Sequence, residues 1–236
     1  MKLILCGGGA GEQVTESYKL FTDIVGKQKI MYIPFAWNNG PYESCLDWFT
    51  GEMKPFGITD IDLVTAPEQI TKERLSKVKG IFIGGGNTYK LLKMLKESEA
   101  FENLKQFALR KDTIVMDGSA GALIWGKSID SCKDDGLGIK SICDQNIVGL
   151  KDTSGFDLIN GYSLLVHYKK KEEQIPATMQ RVKRLLNEGY KLVCIPEETS
   201  LFVEDGKFSV VGSKPAEVIN NKADIVAKEP EEVFLR

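Results

Sequence analysis

The sequence has no C-x-x-C pair, and its five cysteines (Cys6, Cys45, Cys132, Cys143 and Cys194) are scattered along 236 residues. An odd, dispersed set of this kind argues against a disulfide framework and against a zinc site. Charge of one sign is also lacking: 31 basic against 33 acidic residues leave a formal net charge of -2, so nothing global favours nucleic acid or an anionic membrane surface. Long hydrophobic runs are missing too. The opening MKLILCGGGAGEQ carries one Lys and a four-residue apolar run, too short for the core of a secretory signal or for a bilayer span, and a cytoplasmic location is expected. There is no internal repeat, low-complexity block or linker. With 42% hydrophobic and 27% charged residues the chain is expected to form one α/β domain over 1–236. Finally, there is only one histidine, His167.

What is present is a series of short apolar runs: KLILCGGG (2–9), KIMYIPFA (29–36), ITDIDLV (58–64), GIFIGGG (80–86), TIVMDGSAG (113–121) and KLVCIPEE (191–198). Each is rich in Ile, Val, Leu, Phe or Met, and several end in Gly, Pro or an acidic residue, which is how strands buried on both faces read. Between them lie segments of helical period, such as Thr88–Leu95 and Met179–Leu186. Strand and helix in alternation predict a mostly parallel central sheet flanked by helices on both faces. The stretch SLFVEDGKFSVVG (200–212) predicts a C-terminal β-hairpin turning at Asp205-Gly206, at one edge of that sheet.

In such sheets the chemistry collects at the carboxyl ends of the strands. Gly84-Gly85-Gly86 ends one run, with Asn87-Thr88 placed to cap the next helix; its amides can face a phosphate or a developing oxyanion, or simply make a tight turn. Ser119 ends another, in Asp117-Gly118-Ser119-Ala120-Gly121. Small neighbours suit a serine on a sharp strand-to-helix elbow, with the Ala120 amide as an oxyanion donor, although Asp117 stands where the G-x-S-x-G pattern has glycine. A serine hydroxyl needs a base, and the single histidine supplies the candidate: His167 follows Leu164-Leu165-Val166, which is expected to put it on the same sheet edge. Glu197, behind Pro196, can hold the other ring nitrogen, and Glu198, Asp134 and Asp135 are alternatives. The charge run Lys169-Lys170-Lys171 reads as a solvated surface. A rival reading, a phosphate-binding protein built on Gly7-Gly8-Gly9 and Gly84-Gly85-Gly86, lacks both the G-x-G-x-x-G spacing and a Walker lysine.

Together IGGGNTYKLL, DGSAGA, LLVHY and IPEE, in this order, resemble the serine peptidases of the dipeptidase E and cyanophycinase family, from the first strand to the hairpin ending near Gly212. The resemblance implies a fold similar to class I glutamine amidotransferases, Ser119 as nucleophile and His167 as general base. It also implies an oxyanion hole at Gly85, Gly86 and Ala120, and Glu197 as the acid with Asp134 as the alternative. Small peptides are the implied substrates of a monomer or small homo-oligomer, with no metal or cofactor. Aspartyl dipeptidases of this family read the substrate carboxylate with an arginine. The corresponding segment, Pro176–Arg181, has Thr178 at that position, leaving Lys169, Lys170 or Arg181 as other sources of positive charge. Asp117 and Thr178 are the features that would suit a member that binds peptides without cleaving them.

Overall fold

The computed structural model describes residues 1–137, 143–220, 225–230 and 233–235. Strands and helices alternate through the first half: β1 (Lys2–Cys6), α1 (Thr15–Val25), β2 (Ile30–Ile33), α2 (Tyr42–Met53), β3 (Ile61–Leu63), α3 (Lys72–Leu75), β4 (Gly80–Ile83), α4 (Thr88–Lys96), α5 (Ala100–Leu109), β5 (Ile114–Gly118) and α6 (Ala120–Leu123). The second half holds β6 (Tyr162–Leu165), α7 (Ile175–Asn187), β7 (Lys191–Cys194), β8 (Thr199–Glu204), β9 (Lys207–Gly212), β10 (Ala216–Ile219), β11 (Ile225–Lys228) and β12 (Val233–Leu235).

The larger sheet has eight strands in the order β12-β9-β8-β1-β5-β4-β2-β3, of which β1, β5, β4, β2 and β3 run parallel. Their buried side chains alternate cleanly. Leu3, Leu5, Met31, Ile33, Ile81, Ile83 and Val115 pack on one face with α4, α5 and α6; Ile4, Cys6, Ile30, Tyr32, Phe82, Ile114 and Met116 pack on the other with α1 and α2. A period of two on strands covered from both sides explains why the runs read as continuously apolar.

One expectation is extended and one needs correction. The β8–β9 hairpin turns at Asp205-Gly206 toward one edge of the sheet as expected, with β8 against β1, and β12 adds an outermost strand beside β9. And β6 and β7 do not join the main sheet: they form a second sheet in the order β11-β10-β7-β6. One face of it adds Leu164, Val166, Val193, Ile195 and Val218 to the main core. The other packs Leu165, Leu192, Cys194 and Ile219 against Val182 and Leu185 of α7. Short apolar runs carry no mark of which sheet they enter, because burial on both faces looks the same in either. Among the described residues no helix is long and apolar enough to cross a membrane.

Candidate active site

Three strand ends converge. Ser119 follows β5, His167 lies just beyond β6, and Glu197 lies just beyond β7, the parallel neighbour of β6. The backbone of Ser119 sits at φ 51°, ψ −104°, and His167 at φ 52°, conformations that residues with a Cβ seldom adopt. Both are held by consecutive carbonyls at the end of β1: Ser119 N–H donates to Cys6 O (3.3 Å) and His167 N–H to Gly7 O (2.8 Å). The first glycine run is thus the floor of the site. Gly7 N–H is spent on Thr199 O (2.9 Å) and Gly9 N–H on Glu197 O (3.2 Å), so two of the donors a phosphate would need are already occupied. Gly8, at φ 115°, lies under the imidazole; a Cβ there would come within 2.1 Å of His167 Cε1.

The side chains complete a relay. Ser119 Oγ is 2.8 Å from His167 Nε2, and His167 Nδ1 is 2.6 Å from Glu197 Oε1. Asp134, the alternative acid, is exposed; its Oδ1 accepts from Gly136 N–H (3.1 Å), and it makes no contact with the histidine. Asp135 pairs with Arg181, and Glu198 with Lys214 (2.8 Å). Lys170, read from sequence as a solvated charge, donates to the same Glu197 Oε1 at 2.7 Å. Burial pushes the Glu197 carboxyl upward, but the hydrogen bonds from His167 and Lys170 and their charges outweigh it, and the group is held down at about 2. A carboxylate ionised under all working conditions can keep the Nδ1–H tautomer of the histidine, leaving Nε2 free to accept from the serine.

The glycine loop lies opposite. Gly84 N–H bonds Ile33 O (3.0 Å) and Asn87 N–H bonds Ala36 O (2.8 Å), whereas the amides of Gly85 and Gly86 between them make no hydrogen bond among the described residues. Gly85 approaches the serine closely, with an added Cβ 3.4 Å from Ser119 Cβ. Ala120 opens α6, so its N–H has no intrahelical acceptor. The short helix presses on β4: a Cβ on Gly121 would lie 2.4 Å from Ile83 O. Asn87 caps α4 by accepting from Lys90 N–H (2.9 Å). Asp144, which the sequence did not single out, accepts from both the N–H and the hydroxyl of Thr88 (2.8 and 2.5 Å) and pins the loop from the other side.

Two cavities open from Ser119. One, of about 330 Å³, is bordered by Gly85 and Gly118 and does not have His167 among its lining residues; the other, of about 380 Å³, contains His167 and is lined by polar groups such as Asn38, Asn87 and Asp144. Among the described residues, none lining either cavity is Lys or Arg. The candidate cations are engaged elsewhere. Arg181 is fully buried, with Nε on Asp135 (2.8 Å) and Nη2 on Cys143 Sγ (2.8 Å); Lys169 pairs with Glu217; Thr178 is buried on α7.

Asp117 is fully buried, and among the described residues neither carboxyl oxygen has a hydrogen-bond partner. Burial raises its carboxyl well above the usual carboxylate range, with the Trp125 indole as a weaker opposing influence. Its position two residues before the serine is therefore occupied by a neutral acid within the packed interior. The folded form keeps a proton that the unfolded chain releases, so this residue's contribution to stability falls as pH rises above about 4. Asp117→Asn should match the parent near pH 4 and melt at progressively higher temperature than the parent toward pH 8. Parallel melting curves at all pH values would show the acid to be ionised in place.

A parallel α/β sheet that ends in a serine on a left-handed elbow, hydrogen-bonded to a histidine that a carboxylate orients, is the arrangement of a serine hydrolase. The chain belongs to peptidase family S51, whose sequence model matches residues 3–211. It is 25% identical over 213 residues to Peptidase E of Salmonella arizonae, covering 86% of this chain and 85% of that one. It is also 25% identical over 105 residues to a probable alpha-aspartyl dipeptidase of Drosophila melanogaster, a match spanning only 44% of this chain and 42% of that protein. Among solved structures, a peptidase from an acI-B1 Actinobacterium superposes with a TM-score of 0.72 at 18% identity, over 100% of this chain and 96% of the other. A putative Peptidase E protein from Listeria monocytogenes EGD-e superposes with a TM-score of 0.64, also at 18% identity, over 97% and 98%. These structural likenesses concern the fold.

Proposed function

We propose that the protein is a serine-type peptidase that hydrolyses small peptides through an acyl-enzyme on Ser119. The observation that carries this reading is the continuous contact from Ser119 Oγ through both nitrogens of the only histidine to Glu197. Ser119 Oγ attacks the amide carbonyl while His167 Nε2 takes its proton. Negative charge that develops on the carbonyl oxygen meets the unpaired amides of Gly85 and Gly86 and that of Ala120. His167 then passes its proton to the departing amine. Water, activated by the same nitrogen, releases the acyl group and restores the serine. Glu197, kept ionised with the help of Lys170, orients the imidazole and stabilises its charged form.

A fluorophosphonate should label Ser119 of the parent stoichiometrically and leave His167→Ala unlabelled while its far-ultraviolet circular dichroism is unchanged. Labelling that survives the histidine change would remove His167 from the role of base. Labelling at another residue would remove Ser119 from the role of nucleophile.

A further inference from the structure

The cavity bordered by Gly85 and Gly118 is mostly apolar. Tyr18, Tyr32, Trp37, Trp48, Phe82 and Met116 are among its lining residues, and Phe82 stacks on Phe49 at 4.2 Å between ring centroids. Asp117 touches the cavity, yet its side chain belongs to the other side of the sheet: Met116 packs with α1 and α2, and along a strand the next residue points the opposite way, toward Trp125. Both Asp117 oxygens are sealed from solvent. Burial also pushes the Cys6 thiol up to about 12 and moves the Cys45 thiol and the Tyr18 and Tyr32 hydroxyls in the same direction, so these lining groups stay uncharged at neutral pH and no Lys, Arg or Glu lines the cavity among the described residues. The neighbouring Lys90 is occupied, its Nζ donating to Trp37 O (2.5 Å) and lying over the Tyr42 ring.

The side of the site to which each half of the substrate goes follows from the proton path. The departing amine must receive its proton from His167, so it lies in the polar cavity that contains the histidine. The acyl half must then extend the other way from Ser119, into the aromatic cavity.

We propose that this cavity is the acyl-side specificity pocket and that it selects peptides whose residue donating the scissile carbonyl carries an aromatic or large aliphatic side chain, not aspartate. The assignment rests on the serine-peptidase reading above. An aspartate side chain placed there would lose its hydration without gaining a cation from the described lining residues, and a lysine would lose its own against a wall whose neighbouring carboxylate, Glu52 beside Tyr18, does not line the cavity and already accepts from Gly11 N–H (3.0 Å). An aromatic side chain, in contrast, exchanges water for ring contacts.

The test uses diphenyl 1-aminoalkylphosphonates, which phosphonylate a reactive serine at a rate set by the side chain they carry, in parallel with a plain fluorophosphonate and with the dipeptides Phe-Ala, Leu-Ala, Asp-Ala and Lys-Ala. The benzyl phosphonate should label Ser119 at least tenfold faster than its carboxymethyl and aminobutyl counterparts, with Phe-Ala and Leu-Ala cleaved in preference to the other two dipeptides. Trp48 stands 45% exposed at the cavity mouth, so Trp48→Ala is compatible with folding. In that variant the advantage of benzyl over methyl phosphonate should shrink severalfold. Equal rates for the three side chains, or preference for the charged ones, would overturn the pocket assignment. So would labelling by the fluorophosphonate alone, with no response to any aminoalkylphosphonate. Absence of fluorophosphonate labelling would instead remove the reading on which the assignment rests.

Discussion

Ser119→Ala should lower peptide hydrolysis by on the order of 10⁴-fold or more, measured on a dipeptide library against the parent, because in the proposed mechanism only binding and the oxyanion donors remain without the hydroxyl. The stability of the same position provides an independent readout. Ser119 is held at φ 51°, ψ −104° by its N–H bond to Cys6 O and by the packing of α6 against β4. Strain of this kind costs about 1–3 kcal/mol, and glycine is free of it at an entropic cost of about 0.5–1 kcal/mol. Ser119→Gly should therefore be as inactive as Ser119→Ala yet melt at a higher temperature than the parent. A glycine variant that melts lower would mean that the elbow is unstrained, and a serine-free variant retaining more than about a tenth of the parent's rate would end the nucleophile assignment.

Much of this site was legible because its residues are rare in the chain or sit at marked places. One histidine leaves no choice of imidazole, Ser119 sits among residues small enough for an elbow, and Pro196 announces the end of β7 just before Glu197. The five parallel strands were legible as apolar runs. The division into two sheets was not, since β6 and β7 are composed like β1 and β4, and what separates them is pairing over long distances in sequence. β10, β11 and β12 are bounded by turn residues such as Ser213, Pro215, Asn220 and Pro230, but at three or four residues each they are too short to show the alternation that exposed the β8–β9 hairpin. The sequence also hid what Gly7-Gly8-Gly9 does: a glycine run reads alike whether its amides face an anion or its missing Cβ atoms admit an imidazole ring, and only the Cys6 and Gly7 carbonyls on Ser119 and His167 reveal the second use. Lys170 and Arg181 were equally opaque. A lysine in a charge run and an arginine on a helix look solvated until the fold brings Glu197 to one and Asp135 to the other.

Glu197→Gln provides the second large effect, an expected loss of about 10⁴-fold in kcat with the fold preserved, because a neutral amide cannot stabilise an imidazolium as the carboxylate does. Asp134→Asn, which alters only a loop hydrogen bond to Gly136, should keep activity within about twofold, in the range of surface changes. The acid assignment has a thermodynamic signature as well. The Glu197 carboxyl is held at about 2 in the folded protein, below its unfolded value, so its contribution to stability is present above about pH 4 and disappears as pH falls through about 2. The melting temperature of the parent minus that of Glu197→Gln should accordingly shrink between pH 5 and pH 2, whereas the same difference for Asp134→Asn should be flat. A Glu197→Gln enzyme as fast as the parent, together with an inactive Asp134→Asn, would transfer the role to the loop and require His167 to turn its Nδ1 away from the strand end.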